Sequence, residues 1–299
     1  MQPPPTPRLF CFGLGFSPLA FIDLVQPEGW RVAGTTRGAD KAAALAARGI
    51  ETHLFDRGRP LHDPTAALAG TTHLLTAVPP DADGDPVLDH HAADIASLMP
   101  NLRWVGYLST TGVYGDHGGA WVDETTPTEP TGRRQKQRLA AEEAWLRLWR
   151  ERGVPVHLFR LAGIYGPGRS AIDSVRSGTA RRIDKPGQVF SRIHVEDIAR
   201  VLRASIDRPN PGAAYNLCDD NPAAGHEVTA FACELLGVQP PPLVPFDQAE
   251  LSPMAASFYA DNKKVRNDRI KSELGVTLKY PDYRPALRAQ LDREGDETT

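Results

Sequence analysis

Gly13-Leu14-Gly15-Phe16-Ser17-Pro18 follows directly on the apolar run Arg8–Phe12. A G-x-G at the end of a first strand is a turn that brings backbone N–H groups up to a phosphate. Gly13 allows the tight turn, Gly15 lets the backbone approach a pyrophosphate, and the following helix aims its free N–H groups at the charge. The third glycine of the G-x-G-x-x-G pattern is absent, and Pro18 stands there. Ser17 suits an N-cap and Pro18 a first helical residue, so the spacing predicts a helix from this point. Gly13, Gly15, Phe16 and Ser17 are therefore the residues expected against a dinucleotide.

The end of the second apolar run reads Gly34-Thr35-Thr36-Arg37. A site selective for NAD places Asp or Glu there to hold the ribose 2′-hydroxyl, and that acid repels a 2′-phosphate. Thr35, Thr36 and Arg37 instead offer two hydroxyls and a guanidinium to a phosphate dianion, which favours NADP over NAD. The alternative for Arg37 is a solvated side chain beside Asp40. Asp56, after the third run, has two readings: it accepts a hydrogen bond from the adenine amino group, or it caps the next turn. Ala77-Val78-Pro79 ends the fourth run, where backbone beside the cofactor riboses is expected; the other reading is a plain strand stop.

The elements that must hold these residues alternate. Apolar runs at Leu9–Phe12, Arg31–Gly34, Thr52–Phe55, His73–Val78 and Trp104–Ser109 are separated by helix-length segments, with later strands at Val156–Leu161 and Ala214–Leu217. This is the βαβ pattern of an α/β fold with a parallel sheet, whose ligands sit beyond the carboxyl ends of the strands. The segment 134–152 has Ala141, Trp145 and Leu148 at helical spacing, with Trp145 and Trp149 open between core and interface. Its acids and bases are interleaved and no aromatic platform accompanies them, which argues against nucleic acid. The stretch Gln239–Phe246 reads as a proline-rich linker. With 34 basic against 37 acidic residues, no overall field draws the chain to nucleic acid or an anionic membrane, so a small-molecule partner is expected. The charged start and apolar stretch to Ile22 imitate a secretory signal, but the glycines within it favour strand, turn and helix. Cys11, Cys218 and Cys233 are odd in number and scattered, as reduced thiols of a cytoplasmic protein would be. The adjacent His90 and His91 cannot share one helix face, so no metal site is expected.

At the fifth strand the sequence runs Leu108-Ser109-Thr110-Thr111-Gly112-Val113-Tyr114-Gly115-Asp116, and later Arg160–Arg169, Ser191–Ala199 and Tyr215-Asn216-Leu217. Together with the N-terminal turn these segments resemble the extended short-chain dehydrogenase/reductase family of NAD-dependent epimerases and dehydratases. The resemblance implies a seven-stranded, doubly wound Rossmann core with a smaller C-terminal lobe closing over the substrate. The expected division is 8–165 plus 192–220 for the dinucleotide domain and 166–191 plus 221–292 for the substrate lobe, with tails at 1–7 and 293–299. The family's Ser or Thr that bonds the reacting oxygen falls on Thr110. The Tyr and Lys of its YxxxK motif fall on Arg134 and Arg138. A guanidinium, with a pKa above ~12, cannot exchange a proton as a tyrosine does, although it can stabilise developing charge. The pattern is that of an atypical branch with the cofactor site kept and the catalytic residues replaced.

Tyr114 is then the substitute proton donor to consider, against a packing role, and His117 lies in a glycine-rich loop that reads as solvated. Tyr165, Arg169, Arg192 and His194 are the candidates for substrate, phosphorylated or sugar-nucleotide-like, with ion-pair or structural roles as alternatives. The implied activity is that of an NADP-dependent oxidoreductase or epimerase-like enzyme on a carbonyl or secondary alcohol. A non-catalytic NADP(H)-binding sensor is the competing class. The resemblance also implies a homodimer through the helix at 134–152, against which the charge of that helix counts.

Overall fold

The computed structural model describes residues 6–99 and 101–296, so residues 1–5 and 297–299 of the expected tails at 1–7 and 293–299 lie outside the described residues. Strands and helices alternate as β1 (Arg8–Phe12), α1 (Phe16–Val25), β2 (Arg31–Thr36), α2 (Ala39–Ala46), β3 (Glu51–Leu54), α3 (Pro64–Leu68), β4 (His73–Thr76), α4 (Pro86–Ser97) and β5 (Trp104–Thr110). There follow β6 (Trp121–Val122), α5 (Arg133–Arg152), β7 (Val156–Leu161), β8 (Gly163–Tyr165), α6 (Ala171–Arg176), β9 (Arg182–Asp184), β10 (Arg192–His194), α7 (Val195–Asp207) and β11 (Ala214–Leu217). The chain ends in α8 (Gly225–Leu236), β12 (Leu243–Pro245), α9 (Pro253–Ala260), β13 (Lys264–Val265), α10 (Asp268–Ser272) and α11 (Tyr283–Asp296).

Seven strands make one parallel sheet in the order β11-β7-β5-β4-β1-β2-β3. The chain builds outward from β1 to β3, then restarts at β4 on the other side. The switch point therefore lies between β1 and β4, where a doubly wound sheet opens a crevice for ligand. Every residue of β1 is buried, as expected of a strand covered on both faces. Its one charge, Arg8, is neutralised by Glu51 at 2.9 Å and bonded to Thr71 at 2.9 Å.

By contacts the chain divides into two compact units. One comprises Met1–Thr110, Arg133–Arg160 and Ala199–Tyr215; the other comprises Thr111–Gly132, Leu161–Ile198 and Asn216–Thr299. The first unit's core gathers Phe10, Phe12, Phe55, Val105, Tyr107 and Trp145. Trp145 is fully buried, and its indole N–H donates to Asp85 Oδ2 at 3.0 Å. Asp85 also caps α4 by accepting from Val87 N–H at 2.9 Å. Trp149 is half-buried against the same core and packs on Gly212, where a Cβ would come within 2.3 Å of the indole. The second unit has its own core, centred on Tyr165, Ile172, Val228, Tyr283 and Leu287.

Three boundaries differ from expectation. The helix α1 begins at Phe16 with Gly15 as N-cap, not with Ser17. Pro18 is tolerated there because the first N–H groups of a helix have no intrahelical acceptor to lose. The proline-rich stretch contains β12, which pairs in parallel with β9 in a two-stranded sheet, a position that tolerates missing N–H donors. The last helix runs past 292 to Asp296, and Arg293 on it donates to Glu196 Oε1 at 2.8 Å. Among the described residues no helix is long and apolar enough to cross a membrane.

Candidate functional site

In the first unit the turn after β1 is held from below. Gly13 N–H donates to Thr35 Oγ1 at 2.8 Å and Leu14 N–H to Thr35 O at 2.8 Å. Thr35, buried at 1 % exposure, thus builds the turn. Gly13 has φ +87°, and a Cβ on it would press on Val78 Cγ2 at 3.3 Å. That contact, with Ala77 C at 3.5 Å, places Val78 and Ala77 beside the glycine turn, and Pro79 follows them in the chain. Ala77 N–H still donates to Phe12 O at 2.9 Å, although the regular strand stops at Thr76. A Cβ on Gly15, by contrast, would meet nothing within 4 Å. The N-cap Gly15 has no side chain with which to cap α1, and the positive end of that helix lies at Gly15, with Phe16 and Ser17 in its first turn. This is what a pyrophosphate needs: close backbone, helix dipole and room.

At the end of β2, Thr36 is 9 % exposed. Arg37 is exposed, and its guanidinium makes no hydrogen bond or ion pair among the described residues, with Asp40 or any other. Asp56 takes the turn role: its carboxylate accepts from Gly58 N–H at 3.1 Å and from Arg59 Nη2 at 2.8 Å. Next to it, Arg57 grips Asp81 through Nε and Nη2 at 2.8 and 2.7 Å, tying the loop after β3 to the loop after β4.

Thr110 is the last residue of β5 and half-buried. Arg134 is exposed on the first turn of α5. Arg138, one turn on, is engaged by the scaffold, donating through Nη1 to Tyr107 Oη and Leu108 O, each at 3.1 Å. Beneath it lies a buried charge cluster that sequence reasoning missed. Glu142, at 1 % exposure, accepts from Arg160 Nη2 at 2.8 Å and from the Ser109 hydroxyl. The signal was available, since Glu142 falls on the face of α5 that carries Ala141 and Trp145, and Arg160 interrupts an apolar strand with the opposite charge.

In the second unit Tyr114 is fully buried, and its hydroxyl donates to Asn216 Oδ1 at 2.8 Å. This burial and hydrogen bond favour the packing reading of Tyr114. His117 is half-buried, with its ring bonded to Tyr114 O at 3.0 Å. His194 is 1 % exposed and its Nδ1 accepts from Glu196 N–H at 3.2 Å, starting α7. Burial holds its pKa down at about 4, so it is a neutral structural imidazole and not a cavity-lining group. Tyr165, Arg169 and Arg192 do come together, with Ser170, Arg181 and Tyr283, around a cavity of about 690 Å³. Arg192 Nη1 also donates to Phe190 O at 2.8 Å and Ala223 O at 2.9 Å. The hydroxyl of Tyr165 and Oδ2 of Asp219 are buried without a partner among the described residues. Burial, partly opposed by Arg192, raises the Asp219 pKa to about 8. Among the described residues no group of three or more His, Cys, Asp or Glu is placed to hold a metal ion.

Comparison with known proteins agrees with this architecture. The chain is 52% identical to a functionally unknown conserved protein from Silicibacter pomeroyi, with a TM-score of 0.89 over 96% of this chain and 99% of that one. It is 27% identical to Protein YeeZ of Escherichia coli over 90% of this chain and 95% of that protein. The dTDP-glucose 4,6-dehydratase of Bacillus anthracis, solved in complex with NAD, shares the fold with a TM-score of 0.75 at 16% identity, over 97% of each chain. A family model described as the NAD dependent epimerase/dehydratase family matches residues 69–218. The match begins beyond the glycine turn and the Thr36-Arg37 corner, which therefore rest on their own geometry. With half its length matched and the doubly wound sheet in place, the chain belongs to the NAD dependent epimerase/dehydratase family.

Proposed function

We propose that the chain binds NADP in preference to NAD and acts as an oxidoreductase or epimerase-like enzyme. Its substrate is a small anionic molecule with a carbonyl or secondary alcohol, phosphorylated or sugar-nucleotide-like. The observation that carries the reading is the pairing of an uncapped α1 over the open Gly15 with a β2 end that has no acid and an unengaged Arg37. Gly13, Gly15, Phe16 and Ser17 hold the pyrophosphate, Thr36 and Arg37 the 2′-phosphate, and Ala77, Val78 and Pro79 line the ribose side. The family description and the NAD in the dehydratase structure support a nicotinamide dinucleotide as the ligand class.

A bound nicotinamide supplies hydride transfer. The chain's own contribution is positional: Thr110 orients the reacting oxygen in the first unit. In the second unit, Arg169 and Arg192 offer guanidiniums to an anionic group at that unit's own cavity. The proton is exchanged by a group other than Arg134, Arg138 or Tyr114. A second reading, an NADP(H)-binding sensor, is favoured by the engagement of Arg138 and Tyr114 in the scaffold. It requires that the two redox forms bind two conformations with different affinity.

Calorimetric titration tests the cofactor. Wild type is expected to bind NADPH more tightly than NADH, and Arg37→Ala to lose about tenfold in NADPH affinity alone. An unchanged preference in the variant removes the phosphate argument. Turnover with NADPH across sugar nucleotides, aldehydes and ketones, abolished or slowed by Thr110→Ala, supports the enzyme; no turnover anywhere in the panel supports the sensor.

A further inference from the structure

We infer that Arg59 is a second guanidinium for the phosphate on the adenosine ribose and shares with Arg37 the choice of NADP over NAD. The inference rests on the dinucleotide site proposed above.

Arg59 lies far from Arg37 in sequence, yet the turn after β3 brings it back to the end of β2. Residues 56 and 59 exchange both backbone hydrogen bonds, each at 3.0 Å, so the loop closes as a tight turn. The Asp56 carboxylate, fixed by Gly58 N–H, holds Arg59 Nη2 at 2.8 Å. The same nitrogen donates to Arg37 O at 2.7 Å. The guanidinium is thereby held against the residue that follows β2, the position from which a Rossmann domain reads the hydroxyls of the adenosine ribose.

What remains of Arg59 is suited to a ligand. Both hydrogens of Nη2 are engaged, while Nη1 has no partner among the described residues and Nε is buried without one. The side chain is 43% exposed, so the fork is open on one edge. A turn clamp alone would be complete with the bond to Asp56; the reach to Arg37 O adds orientation that the turn does not need. Arg37 itself has an unengaged guanidinium, so the corner holds two cations and one carboxylate. The corner thus carries one positive charge in excess, and a phosphate dianion accepting from both guanidiniums balances it. Asp56 then acts as a positioning residue, setting the plane of Arg59 instead of touching adenine.

The test is calorimetric titration of NADPH and NADH into the full chain carrying Arg59→Ala or Arg59→Lys. Arg59→Ala is expected to weaken NADPH by about tenfold while NADH stays within about twofold. Arg59→Lys keeps a charge without the planar fork, so it is expected to lose about threefold in the ratio of the two affinities. If Arg59→Ala does not fold, that ratio in Arg59→Lys decides. NADPH affinity unchanged, or both cofactors weakened by one factor as loss of a turn clamp would give, overturns the role of Arg59. A wild type without preference for NADPH defeats the cofactor reading itself, before any variant is compared.

Discussion

The glycine turn after β1 and the end of β5 beside α5 treat polar groups in opposite ways. At the turn, the N-cap Gly15 has no side chain to cap α1 and faces open space, and the Arg37 guanidinium has no partner among the described residues. At β5, Arg138 is fastened to Tyr107 and Leu108, and Ser109, Glu142 and Arg160 satisfy one another in the core. Buried polar groups are normally paired, whereas groups left open near a strand end are available to a ligand. The difference teaches that this chain leaves polar groups accessible at the turn where a dinucleotide is proposed, while Arg138 and the Ser109–Glu142–Arg160 cluster are engaged within the scaffold.

The largest expected effect attacks the second region. Replacing Glu142 by Gln leaves Arg160, 8 % exposed, without a counter-charge. Breaking a buried pair from one side costs about 3 kcal/mol or more. Urea unfolding is expected to show that loss, with NADPH affinity in the folded variant within about twofold of wild type, since no residue of the turn is touched. A stability change under about 1 kcal/mol, or a selective loss of cofactor, would mean that the cluster belongs to the site and that the contrast is misdrawn.

The mirror experiment attacks the first. Gly15 has φ −94° and ψ −164°, an extended N-cap conformation open to any residue, and its Cβ direction is empty. Gly15→Val is therefore expected to unfold within about 0.5 kcal/mol of wild type. The added isopropyl group occupies the pyrophosphate's approach, so NADPH affinity should fall about a hundredfold, or about 2.7 kcal/mol. Full affinity in a well-folded variant would show that no phosphate sits over this turn.

These regions were not equally legible in the chain. The sheet could be read because each strand is an apolar run bounded by turn residues, and β1 is buried along its whole length. The glycine turn and the open Arg37 could be read because both are local features, set by consecutive residues at the ends of β1 and β2. Arg59 could not, because its place depends on a turn that folds back over the sheet from the next strand. The start of α1 was misplaced by two residues because serine is a strong N-cap by propensity, while here the turn geometry makes Gly15 the cap. Tyr114 was left open because its partner, Asn216, is remote in sequence and joins it only in the folded unit.

The second unit extends the contrast to a buried acid. Asp219 is 1 % exposed, and Oδ2 has no partner among the described residues. Burial, opposed by Arg192 and reinforced by Asp282 and Asp220, raises its pKa from 3.8 to about 8. Between those values the unfolded chain has released the proton and the folded chain retains it. Stability therefore falls as pH rises through this window and levels off above the folded pKa. Asparagine has the shape of the protonated acid and cannot ionise. Asp219→Asn should match wild type near pH 4 and exceed it progressively as the pH rises towards 8, measured by urea unfolding at both. Arg192 decides the alternative outcome. If the variant is instead weaker, and increasingly so at higher pH, the carboxylate is ionised in the folded unit and pairs with that arginine, so the acid stabilises the unit through its charge.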